Sequence, residues 1–359
     1  MKIIKNFIYS KCFIDDFLKS FSILSIALFF KTALPNLIIN DILIILVLTI
    51  CFVNLIKIFI NLILSLREKS YLIFKILFLS SLISSIFRTS SLYFARIIQS
   101  KPGLLWNVDL GFTLTHSQNV LRYGSLKNSL TMSGFPEAYH IGPSYIYGIF
   151  SNYFKLGIDI LSLLILPTIF FCVFIFASQM IVDTLLNNKK YVLFISSLIC
   201  FTPGLFLKDP NLSNVLNSSL TIKDFAYNLP FQFSSMQNSM FAGSAIVCIF
   251  YFLIKSFKKN IYLIFSTSLS LYAIKPLYFV SAFLLIILFL ILLITNKNYS
   301  VLINNIKFKH LFKFRNFLFL TIIFFIWFYF YKFKLISFYD SSFSLYFFKD
   351  IYNLFNAFS

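Results

Sequence analysis

The sequence predicts an all-α, polytopic integral membrane protein with about nine transmembrane helices. An amphipathic juxtamembrane helix is expected in its first large outer loop. Three observations carry this. The 359 residues are 59% hydrophobic, 20% aromatic and only 12% charged, where a soluble domain carries about 25% charge. Residues 42–66 and 277–294 are apolar for roughly the 20 residues a bilayer-spanning helix needs. The basic residues behind the net charge of +19 fall mostly in short loops between apolar runs, a membrane-topology pattern rather than a nucleic-acid footprint.

In chain order, the N-terminal MKIIKNFIYSKCFIDDF has no clear signal-peptidase site and reads as a basic cytoplasmic lead-in. Spans are predicted over 20–35, 42–66 and 71–97, then 158–184 and 191–207. Four more follow over 239–254, 261–275, 276–295 and 317–333. The break between 261–275 and 276–295 rests on Lys275-Pro276, because proline removes a donor and clashes with the preceding turn. The loops carrying Arg67, Lys69, Lys189, Lys190, Lys255, Lys258 and Lys259 are the inner ones by their charge. That places residues 98–157, 208–238 and the aromatic tail 334–359 outside, with the N-terminus inside and the C-terminus outside. The division is therefore N-terminal helices 1–97, outer loop 98–157, C-terminal helices 158–333 and an interfacial tail. The five cysteines are scattered and form no CxxC pair, so neither a disulfide frame nor a zinc site is indicated.

The first outer loop is the longest polar interruption: WNVDLGFTLTHSQNVLRYGSLKNSLTMSGFPEAYHIGPS over 106–144. Asn107 can cap a helix beginning at Val108 or Asp109, and Gly124 can end it. Asp109, Thr113 and His116 follow at i, i+4 and i+7 and share one face, while Leu110, Leu114 and Leu121 fall on another. Such a helix suits the membrane surface, with its carboxylate and imidazole pointing away from lipid. Asp109 then suits proton abstraction from a hydroxyl or amine acceptor, or ligation of a divalent cation (Mg or Mn) beside His116. The plainer alternative is a solvated helix-start acid complementing the dipole. Further on, Pro136, Glu137, Tyr139 and His140 precede Gly142-Pro143 and an apolar aromatic run. Pro143 fits the first turn of a following helix, and Tyr139-His140 fits an interfacial anchor.

An outer Asp after a span, an amphipathic helix ending in Tyr-Gly, and a Pro…Tyr-His-x-Gly-Pro entry to the next helix form a recognisable order. Over residues 100–185 it resembles the GT-C superfamily of polytopic glycosyltransferases, such as the bacterial mannosyl- and aminoarabinose-transferase-like families. The resemblance implies transfer of a sugar from a polyprenyl-phosphate donor to lipid, glycan or protein at the outer face of the bacterial cytoplasmic membrane. It implies Asp109 as the catalytic carboxylate, acting as base towards the acceptor, by position in the first large outer loop. The chain departs from that pattern in having Asn107-Val108-Asp109 where paired acids are usual. The loop also follows the third predicted span rather than the first. The tail is too short for the outer domain of many members, so a reduced, fragmentary or degenerate member is an alternative expectation.

Several other residues are candidates for the same site. Lys275 and Arg122 can pair with a donor phosphate, or else be a snorkelling lysine and a solvated arginine. The Asn- and Ser-rich second outer loop holds Asp209 and Asp224, either of which can contribute to a sugar or metal site or stand in an ordinary exposed loop. His310 lies in a basic inner loop and reads as surface decoration. Glu137, Tyr139, His140 and Asp224 are thus expected substrate contacts beside His116, Arg122 and Lys275. The expected partners are a polyprenyl-phosphate-linked sugar and membrane lipids, with no nucleic acid. Competing readings are a polysaccharide polymerase or ligase, a lipid-linked sugar flippase, and a non-catalytic membrane protein. Few outer arginines and few charges within spans weigh against the first two.

Overall fold

A computed structural model describes residues 11–33, 37–68, 70–90, 93, 108–123, 142–186, 188–201, 237–274 and 276–295. All secondary structure among them is helical. The helices are α1 (Lys11–Ala33), α2 (Ile38–Ser65), α3 (Leu72–Thr89), α4 (Val108–Tyr123) and α5 (Gly142–Phe154). After these come α6 (Ile158–Leu185), α7 (Lys189–Phe201), α8 (Gln237–Ile274) and α9 (Pro276–Thr295). Three of them, α2, α3 and α6, are long and apolar enough to cross a membrane, and shorter apolar stretches lie at Ser239–Lys255 and Tyr278–Phe289. The chain is a helical membrane protein. The predicted span at 317–333 lies outside the described residues.

α2 shows why the bundle reads as membrane-embedded. Ile44, Val47, Leu48, Cys51, Leu55, Ile58 and Leu62 are buried, while Ile39, Ile42, Leu46, Ile50, Val53 and Ile60 on the other side are exposed. Both faces are apolar, so the outer one has no reason to meet water. Asn40, Asn54 and Asn61 lie on the buried side, where amides serve as interhelical glue. α6 carries a π-helical turn over Leu161–Ile165 and is buried along most of its length.

The structure corrects several predicted boundaries. The first helix extends back to Lys11 rather than starting at 20, so Asp15, Asp16 and Lys19 are helical. The third helix closes at Thr89, short of residue 97. Residues 142–149, placed by sequence in an outer loop, are buried core of α5. The proline break is where it was expected: α8 ends at Ile274 and α9 starts at Pro276.

α8 is helical across 38 residues, yet it replaces two predicted spans without being one straight rod. A straight helix of that length is about 57 Å long. Both of its ends touch α5. Gln237 accepts a hydrogen bond from Tyr147, and a Cβ built on Gly142 would lie 3.0 Å from Ile274. Even with side-chain reach added, these contacts hold the ends of α8 within about 30 Å. The helix therefore folds back on itself. Its first arm runs beside α1, with Phe241 against Phe21 at 4.8 Å between ring centroids and Tyr251 donating to Asp15 at 3.0 Å. Its second arm runs antiparallel to α9 through Phe257–Phe289, Phe265–Phe283 and Tyr272–Phe279. Between the two arms lies the polar stretch KSFKKN at 255–260.

These contacts sort the bundle into two poles. One gathers the α1–α2 turn, α4, α5, the start of α6 and both ends of α8. The other gathers the start of α1, the α2–α3 and α6–α7 turns and the bend of α8.

Candidate functional site

The first pole is built around α4 and α5. α4 spans Val108–Tyr123, the stretch bracketed by Asn107 and Gly124. Its orientation differs from expectation. Thr113, His116, Ser117 and Asn119 are buried, while Thr115, Gln118 and Arg122 are exposed. Leu114 and Leu121 are partly buried and pack on the core. The helix is docked with these polar side chains turned inward. The reason is the medium: near lipid, hydrogen-bonding groups gain most by facing other protein.

Docking is close. Gly148 of α5 faces α4, and a Cβ there would stand 2.5 Å from Val120 and 3.0 Å from the Ser117 carbonyl. The Ser144 hydroxyl donates to the Thr113 carbonyl at 3.2 Å, and Ser117 donates to the same oxygen. Burial lowers the pKa of His116, so its imidazole is neutral at physiological pH. The Asn119 amide nitrogen and the Ser162 hydroxyl are buried without a hydrogen-bond partner among the described residues.

A second layer of polar groups adjoins them. Tyr147 donates to the Gln237 side-chain carbonyl, and the Gln237 amide donates to the Ser162 carbonyl within the π-helical turn of α6. Such turns free a backbone carbonyl from the i→i−4 ladder. At the α1–α2 turn, Lys31 pairs with Asp41 at 2.6 Å, with side chains 2% and 17% exposed. The Lys31 ammonium also stands 5.9 Å from the Tyr145 ring centroid, within cation–π range.

Of the sequence-predicted residues, His116 lies on the buried face of α4 and Arg122 on its exposed face. Asp109 is in the first turn of α4, on the Thr113–His116 face by register; its side chain lies outside the description. Glu137, Tyr139, His140, Asp209, Asp224, Lys275 and His310 lie outside the described residues. Among the described residues no three His, Cys, Asp or Glu side chains come together to hold a metal ion. Sequence reasoning passed over Tyr147, Gln237 and the Lys31–Asp41 pair. Lys31 had a readable signal: an ionisable group ending an apolar run, with an acid ten residues on across Leu-Pro-Asn.

No protein-family model, no characterised protein and no solved structure matches the chain.

Proposed function

We propose that the chain is a membrane glycosyltransferase moving a sugar from a polyprenyl-phosphate donor to a lipid, glycan or protein acceptor at the outer face of the membrane. One arrangement supports this above all. α4 is a polar helix in an apolar protein, with Thr113 and His116 turned toward the bundle at one pole and Asp109 at the same register position one turn before them. Buried polar groups in such surroundings are costly unless they serve a purpose. The basic residues Arg67, Lys75, Lys189, Lys190 and Lys255 gather at the opposite pole, which favours that pole as the cytoplasmic one.

The chemistry is displacement at the anomeric carbon. The acceptor oxygen forms the new bond as the carbon–oxygen bond to the phosphate breaks. Asp109 takes the acceptor proton. The polyprenyl phosphate leaves with the electron pair, its charge met by Lys275, because Arg122 lies on the exposed face of α4. Neutral His116 serves as a hydrogen-bonding group for substrate rather than a cation. All the proposed steps use side chains of this chain.

The test is Asp109→Asn in proteoliposomes supplied with a lipid-linked sugar and a labelled acceptor. Loss of the general base predicts a fall in turnover of about 100-fold or more, with the helical circular dichroism unchanged. Turnover equal to the parent protein would remove Asp109 from the reaction.

A further inference from the structure

At the opposite pole the α2–α3 turn and the α6–α7 turn meet across a cleft of about 110 Å³. Inside it, two charges already satisfy each other. The Lys75 ammonium donates to the Ser65 carbonyl at 2.8 Å and pairs with the Glu68 carboxylate at 3.5 Å. The two turns themselves are different. Arg67 on one, and Lys189 and Lys190 on the other, are all exposed. Among the described residues none of these three has a carboxylate partner. Lys190 lies over the Tyr71 ring at 5.5 Å, which orients its ammonium but brings no counter-charge.

Three unpaired cations are thus gathered on two adjoining turns. Asp183 also lines the cleft, but even as a full negative charge it is outnumbered by the three. The local balance is positive, and it calls for an anion. A phosphate diester suits both kinds of donor, since a guanidinium binds its oxygens as a fork and an ammonium as a point charge.

The surroundings decide which phosphate. Tyr71 lines the cleft and is exposed, as is Tyr191 at the start of α7. Ile73 and Leu185, two residues beyond Tyr71 and Asp183, are more than 60% exposed. Tyrosines bordering aliphatic side chains open to the surroundings mark the headgroup level of a bilayer. Clustered cations at that level attract anionic lipid.

We propose that the rim formed by Arg67, Lys189 and Lys190 binds the headgroup of an anionic phospholipid, a phosphate diester with no compensating ammonium. The phosphate rests against these three side chains, and the acyl chains lie along the apolar side that carries Ile73 and Leu185. The Lys75–Glu68 pair is left as it is. The site is at the pole away from α4 and does not rest on the transfer reaction.

The test uses the full chain in mild detergent, stripped of lipid, and titrated by native mass spectrometry. Phosphatidylglycerol is compared with phosphatidylcholine, which carries the same phosphate beside a fixed cation. The expected result is one site that holds phosphatidylglycerol about tenfold more tightly. Arg67→Gln and Lys189→Gln, both at exposed positions, should each weaken phosphatidylglycerol about fivefold and leave phosphatidylcholine unchanged. Lys259→Gln is the control, an exposed lysine at the bend of α8 outside the two turns; it should change nothing. Equal retention of the two lipids would overturn the proposal. An equal loss in all three variants would overturn it too, because the pole would then act only through its diffuse charge. Displacement of the lipid by millimolar soluble glycerophosphoglycerol would assign the rim to a free phosphate compound instead of a lipid, and failure to displace it supports the lipid.

Discussion

At the α4 pole, Lys31, Thr113, His116, Ser162 and Gln237 are all buried, and the Lys31–Asp41 pair sits among rings and backbone. At the opposite pole, Asp15 is shared between Lys19 at 2.7 Å and Lys255 at 3.0 Å, but the two lysines are 39% and 34% exposed. The same kinds of side chain therefore work in two media. Where water reaches, an ion pair contributes little because solvent already stabilises each charge. Where it does not, each group depends on its protein partners, and removal of a charged one is expensive.

The sharpest way to break the comparison is at the dry pair. Asp41→Ala leaves the Lys31 ammonium, 2% exposed, without its carboxylate, and should cost about 3–5 kcal/mol. Thermal unfolding in detergent, followed by circular dichroism, reads this directly. Replacing both partners, Lys31→Met with Asp41→Leu, should recover most of the loss, because two apolar groups in that site need no compensation. If the single variant unfolds like the parent, the pair is not dry.

Next in size is the close approach of α4 and α5. Gly148→Ala forces a methyl group to within 2.5 Å of Val120 and should cost about 1–3 kcal/mol by overpacking. Gly243→Ala is the matching control on α8, because its added Cβ meets Tyr278 at 3.8 Å, an ordinary contact. With alanine favoured over glycine in a helix by roughly 0.5–1 kcal/mol, that variant should be neutral or slightly stabilising. Opposite signs for the two substitutions in the same melting experiment would localise the tight interface to α4. Equal effects would mean that α4 rests loosely on the bundle.

Much of this was legible in the sequence where the signal is local. Asn107 and Gly124 bracket α4 as read, and Pro143 and Pro276 stand at helix starts as read. These are backbone effects, decided by a residue and its immediate neighbours. What was not legible depends on the medium and on distant partners. Helical spacing gives α4 two faces but does not say which one turns inward; lipid favours the polar one. The charges at 15, 16 and 19 interrupt an apolar run and so delayed the predicted start of the first helix. Lys255, 240 residues away in the chain, is what makes Asp15 acceptable inside a helix. Gln237 and Tyr147 are likewise joined only by the fold.

The smallest effect belongs to Asp15, and it sharpens the comparison through pH. Partial burial raises the Asp15 pKa, but hydrogen bonds from Lys19 and Lys255 outweigh it and hold the carboxyl below its ordinary value of 3.8. A depressed folded pKa means the unfolded chain binds the proton more readily. The stabilisation is thus complete above pH 3.8 and is lost as the pH falls through the lower, folded value. Asp15→Asn should cost no more than about 1 kcal/mol near neutral pH, because the pair is partly solvated. The cost should shrink further in high salt, which screens exposed charges. Melting curves of the parent protein and Asp15→Asn should therefore converge on acidification. Asp41→Ala should remain far below both at every salt concentration, since screening ions do not enter the dry pole. Similar salt responses at Asp15 and Asp41 would show that water reaches the two poles alike.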